Sequence, residues 1–287
     1  MTSARADGMR FDLCWLGNAA RTVFDAVIPR HEHWAPGEQK QGIVRHMAGD
    51  LSYLSAGDPR GRRVIFVHGS PSEAEDWSHL MKNVPAGLEF VAVDRPGFGW
   101  SGPDAVPTGL DEQAAALGAL LEERGGRKPV LVGYSLGGPI AAQAAAHFGG
   151  RVGGLLIVGG ALDPDLERVH PVQRVAAWPW VARCLPRSLR NANRELLALK
   201  GQLPGLATRL GGIRMPVTLL HGTKDPLVPY ANIAFTAERL TGSRHVRCVP
   251  VPEADHFLPW SHATLLRDAV VDLARLADRA ERARAYA

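Results

Sequence analysis

The chain has 287 residues, enough for one large domain or two small ones and a core burying about 75% of the unfolded surface. With 46% hydrophobic and 22% charged residues it reads as globular, which excludes collagen, coiled coil, repeat arrays and disorder, and no stretch approaches the ~18 apolar residues of a membrane-spanning helix. A net charge of +4, carried by 28 arginines and only 5 lysines, is well short of the clustered charge that nucleic-acid binding requires.

Residues 1–44 carry Leu13, Leu16, Ala20, Phe24 and Val27 at helical spacing, which predicts an N-terminal helical extension docked on the domain. The extension lacks the apolar middle of a secretory signal. Three cysteines, Cys14, Cys184 and Cys248, lie far apart in sequence and match no metal or disulfide spacing, so a reduced, cytoplasmic setting is expected. From about residue 45, strand and helix patterns alternate. Strands are predicted at 51–56, 64–68, 88–94, 130–133, 155–158, 217–221 and 245–251, and helices at 110–123, 137–148, 232–240 and 262–284. Runs such as VIFV, FVAV and LLIV suit strands buried on both faces of a parallel sheet. The expected fold class is therefore α/β, an open, mostly parallel sheet with helices on both faces and ligands outside the carboxyl ends of the strands.

Residues 163–212 break the alternation. They hold eight basic and four acidic residues and predict a small helical cap, so that 45–162 and 213–287 form the core. Pro186 opens a helix there, with Leu189, Leu196 and Leu197 on one face and Arg187, Arg190 and Arg194 on another. Trp178 and Trp180, around Pro179, either pack this cap onto the sheet or contact substrate, and Tyr134 is a further candidate substrate contact. The arginines form a solvated face or dock an acidic substrate group or an anionic membrane surface.

The segment Gly133-Tyr134-Ser135-Leu136-Gly137 reads GxSxG, with a strand running into it and a helix following at once. A serine on such a turn needs small neighbours, and the helix N-terminus favours developing negative charge. Ser135 is the candidate nucleophile. His256, in the loop after the last strand, is the candidate base, and Asp225, in HGTKDPLVP, the candidate acid, with Asp163 as its rival. His79, His147, His170 and His262 fall in helical or cap stretches, and Asp255 reads as a loop carboxylate. The backbone amides of Leu136 and Ser70, the latter in His68-Gly69-Ser70-Pro71, are the candidate oxyanion donors.

These residues, with Asp94-Arg95-Pro96-Gly97-Phe98-Gly99-Trp100-Ser101 and the Asp255-His256 pair, resemble the α/β-hydrolase superfamily over residues 45–285. The resemblance implies an eight-stranded sheet, a cap inserted after the sixth strand, Ser135 as nucleophile, His256 as base and Asp225 as acid. It implies the oxyanion amides of Ser70 and Leu136, a loop-shaping role for Asp94, and no metal or organic cofactor. Epoxide hydrolases and haloalkane dehalogenases of this fold carry an aspartate at the serine position, so neither reaction is favoured. The expected function is a serine carboxylesterase acting on a small ester with an apolar acyl or alcohol part. Thioesterase, lactonase, carbon–carbon hydrolase, perhydrolase and lyase chemistry share the same residues, and a small-molecule receptor is the non-enzymatic alternative.

Overall fold

The computed structural model describes residues 40–46 and 49–285; the predicted helix at 13–27 lies outside them. Eight strands form one sheet in the order β1-β2-β4-β3-β5-β6-β7-β8. They are β1 (Lys40–His46), β2 (Gly49–Gly57), β3 (Arg62–Val67), β4 (Leu88–Val93), β5 (Val130–Tyr134), β6 (Gly154–Val158), β7 (Val217–Gly222) and β8 (Val246–Val251). The β1–β2 and β2–β4 pairs are antiparallel, and all others are parallel. β1 was not among the predicted strands: KQGIVRH lies at the sheet's edge with Ile43 exposed, so it carries no continuous apolar run.

β3, β4, β5 and β6 are buried at every position, as their β-branched and aliphatic runs require. The helices are α1 (Ser78–Met81), α2 (Leu110–Leu117), α3 (Gly137–His147), α4 (Pro171–Ala176), α5 (Pro179–Cys184), α6 (Arg187–Arg209), α7 (Asn232–Arg239), α8 (Leu258–Ser261) and α9 (Ala263–Ala285). One core layer joins Leu117, Ile140, Ala144 and Leu203 to Ile65, Leu131 and Leu155 of the sheet. The other joins Trp77, Leu80, Val270 and Leu273 to Phe66, Phe90, Val132 and Leu156. Each fully buried side chain of this size contributes about 1.5–3 kcal/mol. Arg62, buried at the start of β3, reaches Asp278 at 2.7 Å and Glu281 at 2.5 Å and ties the sheet to α9.

Three helices, α4 to α6, are inserted between β6 and β7. The face that α6 buries differs from the expected leucine stripe. Leu189, Leu196 and Leu197 are only half-buried, whereas Asn191, Ala192, Glu195, Leu199, Leu203 and Leu206 are buried. Polar side chains at 187, 191, 195 and 202 lie along that buried side. Arg187 donates to the carbonyls of Gly99 (2.9 Å) and Ser101 (2.5 Å), and Asn191 to those of Gly97 and Asp104, both at 2.8 Å. Gln202 accepts from the Leu110 amide at 2.7 Å and donates to the Thr108 carbonyl at 2.9 Å. The helix is held to the core by Leu199, Leu203 and Leu206 and also by backbone groups that its polar side chains satisfy. Arg187 is thereby an anchor, not part of a solvated face.

Candidate active site at the carboxyl ends of the strands

β5 ends at Tyr134, and the chain turns at once into α3. Ser135, at the turn, has φ of 53°, a left-handed conformation that costs a non-glycine residue about 1–2 kcal/mol. Its neighbours are small by necessity. A Cβ on Gly133 would collide with the Gly137 carbonyl, and one on Gly137 with the Val67 carbonyl. The Ser135 amide donates to the Val158 carbonyl at 2.9 Å, and the Gly138 amide donates to the Ser135 carbonyl at 2.9 Å. The turn is thus fixed from both sides, with Ser135 half-buried at the start of α3.

His256 and Asp225 arrive from the ends of β8 and β7. His256 Nδ1 donates to Asp225 Oδ2 at 2.6 Å, and both residues are buried. Asp225 Oδ1 accepts the amides of Leu227 (2.9 Å) and Val228 (2.8 Å). His221 Nε2 lies 3.4 Å from Oδ2 while donating to the Val228 carbonyl at 3.0 Å. Burial by itself would raise the Asp225 pKa. Hydrogen bonds from His221 and His256, the charge of His256 and the Val228 amide outweigh it and hold the carboxyl well below the ordinary range. The rival acid Asp163 is engaged elsewhere, accepting from the Asp165 amide at 2.9 Å. Asp255 accepts from the Phe257 amide at 2.9 Å, as a loop carboxylate does.

The Tyr134 ring is buried 5.1 Å from the His256 ring and 5.6 Å from Trp260, which places His256 beside the residue preceding Ser135. Burial, with Asp225, Asp255 and Asp76 nearby, pushes the Tyr134 phenol well above its ordinary value, so it stays neutral. Gly159 completes the packing. With φ of 54°, its position would set a Cβ 3.3 Å from His256 Nδ1 and 3.5 Å from Asp225 Oδ2. On the opposite side, a Cβ on Gly69 would lie 3.0 Å from Ser135 Cβ, so the His68–Pro71 loop passes directly against the serine. Among the described residues, the amides of Ser70 and Leu136 have no acceptor.

That loop is supported by a buried polar cluster that the sequence reading missed. Arg95 Nε donates to the His68 carbonyl at 2.9 Å and Nη2 to the Gly69 carbonyl at 2.7 Å. The Arg95 amide donates to His68 Nε2 at 3.0 Å, while His68 Nδ1 lies 2.8 Å from the Gly69 carbonyl. His68 is therefore neutral with its proton on Nδ1. Glu195, from α6, receives Arg95 at both oxygens, Gln113 Nε2 at 2.7 Å, and the Ser70 hydroxyl. Asp94 shapes the adjoining turn: its carboxylate accepts the amides of Ala74 (2.8 Å) and Trp100 (3.1 Å).

Trp178 and Trp180 are exposed on α5 and its N-cap, and no ring lies against either among the described residues. They do not pack the insertion onto the sheet. Among the described residues, no cluster of histidine, cysteine or acidic side chains could hold a metal ion, and no helix is long and apolar enough to cross a membrane.

The alpha/beta hydrolase family profile matches residues 64–269. A 2-hydroxy-6-oxononadienedioate/2-hydroxy-6-oxononatrienedioate hydrolase from Burkholderia vietnamiensis is 27% identical over 256 residues, covering 74% of this chain and 86% of its own. A non-heme haloperoxidase from Rhodococcus erythropolis is 27% identical over 232 residues, covering 66% and 84%. A candidate aryl esterase from Burkholderia cenocepacia superposes with a TM-score of 0.66 at 26% identity, over 83% of this chain and 99% of the other. With this match across most of its length and the eight-stranded sheet beneath it, the chain belongs to the alpha/beta hydrolase family.

Proposed function

We propose that this chain is a serine hydrolase cleaving a small carboxylic ester, with Ser135 as nucleophile, His256 as base and Asp225 as the acid that orients it. The observation that carries the reading is the 2.6 Å Asp225–His256 hydrogen bond at the strand end beside a left-handed Ser135. Asp225 occupies His256 Nδ1, which leaves Nε2 to take the Ser135 proton as Oγ attacks the acyl carbon. The amides of Ser70 and Leu136, without acceptors among the described residues, receive the oxyanion. His256 Nε2 then protonates the departing alcohol. Water, losing its proton to the same nitrogen, attacks the acyl-enzyme and releases the acid and the free serine. No metal or organic cofactor enters these steps.

In this reading the inserted helices α4 to α6 act as a cap that shapes the acyl pocket, and Tyr134 lines it beside His256. The setting is cytoplasmic, in keeping with Cys184 and Cys248 standing as free thiols. A second reading, carbon–carbon bond hydrolysis of an oxo-dienoate, draws on the relative named for a 2-hydroxy-6-oxo dienedioate and would use the same three side chains.

Intact-mass labelling with a fluorophosphonate, comparing wild type with Ser135→Ala, tests the nucleophile. A single adduct that vanishes in the variant is expected, and p-nitrophenyl esters of increasing chain length then size the pocket. Labelling that persists in Ser135→Ala, or a folded wild type that takes no label and cleaves no ester, overturns the proposal.

A further inference from the structure

The outer side of the inserted helices has features that hydrolysis at Ser135 does not use. α4 and α5 bury no residue at all. Val172, Val175, Trp178 and Trp180 are 70%, 45%, 57% and 74% exposed, so that four of the seven large apolar side chains exposed among the described residues fall within nine consecutive positions of the chain. Apolar groups clustered in this way mark an interaction surface, because water leaves their burial free energy unspent. α4 is fastened to α6 from behind, where Asn193 Nδ2 donates to the Gln173 carbonyl at 2.9 Å.

The stretch of chain that carries this group has charge of one sign. From residue 168 to residue 194 the chain carries six arginines (168, 174, 183, 187, 190 and 194) and no acid. Arg187 is anchored on backbone carbonyls and faces Asp104 at 3.7 Å. The other five have no acceptor among the described residues, whereas Arg62, Arg63, Arg95 and Arg124 each sit on a carboxylate. The nearest acids in sequence, Asp163, Asp165 and Glu167, precede the stretch. Glu195, which follows it, is turned inward and consumed by Arg95. Arg183, Arg190 and Arg194 converge on an open cavity of about 420 Å³ beside Pro179 and Ala182.

We propose that this face of the cap docks on an anionic lipid bilayer, with the indoles of Trp178 and Trp180 and the Val172/Val175 pair in the interfacial layer and a lipid phosphate in the arginine cavity. Tryptophan suits the interface because its ring is apolar on the whole and carries one N–H donor for the wet side. Guanidinium groups pair with phosphate oxygens two bonds at a time, and unpaired arginines have no internal partner to give up first. A neutral membrane would satisfy the indoles and leave five guanidiniums unmatched. Charge complementarity is what selects an anionic surface.

Vesicle co-sedimentation of the full chain tests this and reads no hydrolysis, so its outcome is independent of the role given to Ser135. The probes are extruded vesicles of phosphatidylcholine alone and of three parts phosphatidylcholine to one part phosphatidylglycerol. Binding to the anionic vesicles at least about tenfold above the neutral ones, weakened by salt, is expected. Trp178→Ser/Trp180→Ser and Arg183→Gln/Arg190→Gln/Arg194→Gln should each lose most of it while melting at the wild-type temperature. No sedimentation with anionic vesicles overturns the proposal, as does binding that survives both variants and so belongs to another segment. Patch-dependent dimerisation in gel filtration without vesicle binding points to a second copy and equally overturns it. So does stabilisation by inorganic phosphate, lost in the arginine variant, without vesicle binding, since the cavity would then serve a soluble anion.

Discussion

Arg95 and Glu195 face each other in a two-pronged ion pair, Nη1 to Oε2 at 2.7 Å and Nη2 to Oε1 at 2.8 Å, with both side chains sealed from solvent. Arg95 belongs to the loop after β4, and Glu195 to the inserted helix α6. The pair spans the join between core and insertion. On the Arg95 side it grips the carbonyls of His68 and Gly69, and on the Glu195 side it receives the Ser70 hydroxyl. The loop carrying the proposed oxyanion amide is therefore clamped by a residue from the inserted helix α6.

In the proposed mechanism this clamp makes Glu195 a positioning residue for the Ser70 amide. Glu195→Ala leaves a buried guanidinium without its counter-charge and should cost about 3–5 kcal/mol of stability in a urea titration. Glu195→Gln keeps the shape and weakens the clamp. It should lower kcat by about tenfold with KM little changed, and weaken binding of a trifluoromethyl ketone more than that of the uncharged product alcohol. A rise in KM alone would assign Glu195 to the cap's stability and not to the oxyanion loop.

Asp225→Asn should leave the fold near wild type and reduce kcat by about 10³–10⁴-fold, because an amide can donate to His256 Nδ1 and stabilise the wrong tautomer. Steady-state turnover of p-nitrophenyl acetate, with circular dichroism as the check on folding, measures it. Activity within about tenfold of wild type would return the role of acid to another carboxylate.

At Gly159 catalysis and stability can be separated. A methyl group there would meet His256 Nδ1 at 3.3 Å and Asp225 Oδ2 at 3.5 Å in a backbone of φ 54°. Gly159→Ala should therefore cost about 1–2 kcal/mol of stability from the left-handed backbone and roughly several-fold in kcat, as the imidazole gives way by a fraction of an ångström. A variant that loses stability without losing turnover would show that the His256–Asp225 pair tolerates the shift.

The response to acid follows from two depressed groups. Complete burial and then the charge of Arg95 hold the His68 pKa well below its ordinary value, against the opposing bond to the Gly69 carbonyl. Below about pH 6.5 the unfolded chain takes up a proton at this site that the native state refuses. Stability is fully present above that value and falls as the pH drops, by at most about 1.4 kcal/mol per pH unit from this one group. Asp225 acts with the same sign lower down: the unfolded carboxyl protonates below about pH 3.9 while the native one stays ionised. Urea midpoints at pH 7.5, 6.5 and 5.5 should decline in wild type and decline less in His68→Gln. Parallel lines for the two proteins would contradict the assignment.

Much of the core was legible in the amino-acid order. Each central strand is a short aliphatic run, and burial on both sheet faces demands such a run in any parallel sheet, so β3 to β7 stand where VIFV, FVAV, VLVG, LLIV and VTLL placed them. The elbow was legible too, since a left-handed Ser135 needs Gly133 and Gly137 around it and those residues are adjacent in the chain. β1 was not, because an edge strand with one exposed face has no run to detect.

What the sequence by itself determined was every feature whose cause is local: strand composition, the glycine-flanked turn, the helix that follows it, and the order in which Ser135, Asp225 and His256 follow β5, β7 and β8. Tertiary structure alone decided which carboxylates meet which partners. Asp225 and Asp163 both follow strands, and only the neighbouring β7 and β8 bring the first to His256 at 2.6 Å. Glu195 looks like one acid among the charged residues of an amphipathic helix, and Arg95 like one base in a glycine-rich loop. One hundred residues of chain separate them, and the energy of a charge pair depends on distance and burial, which periodicity does not encode.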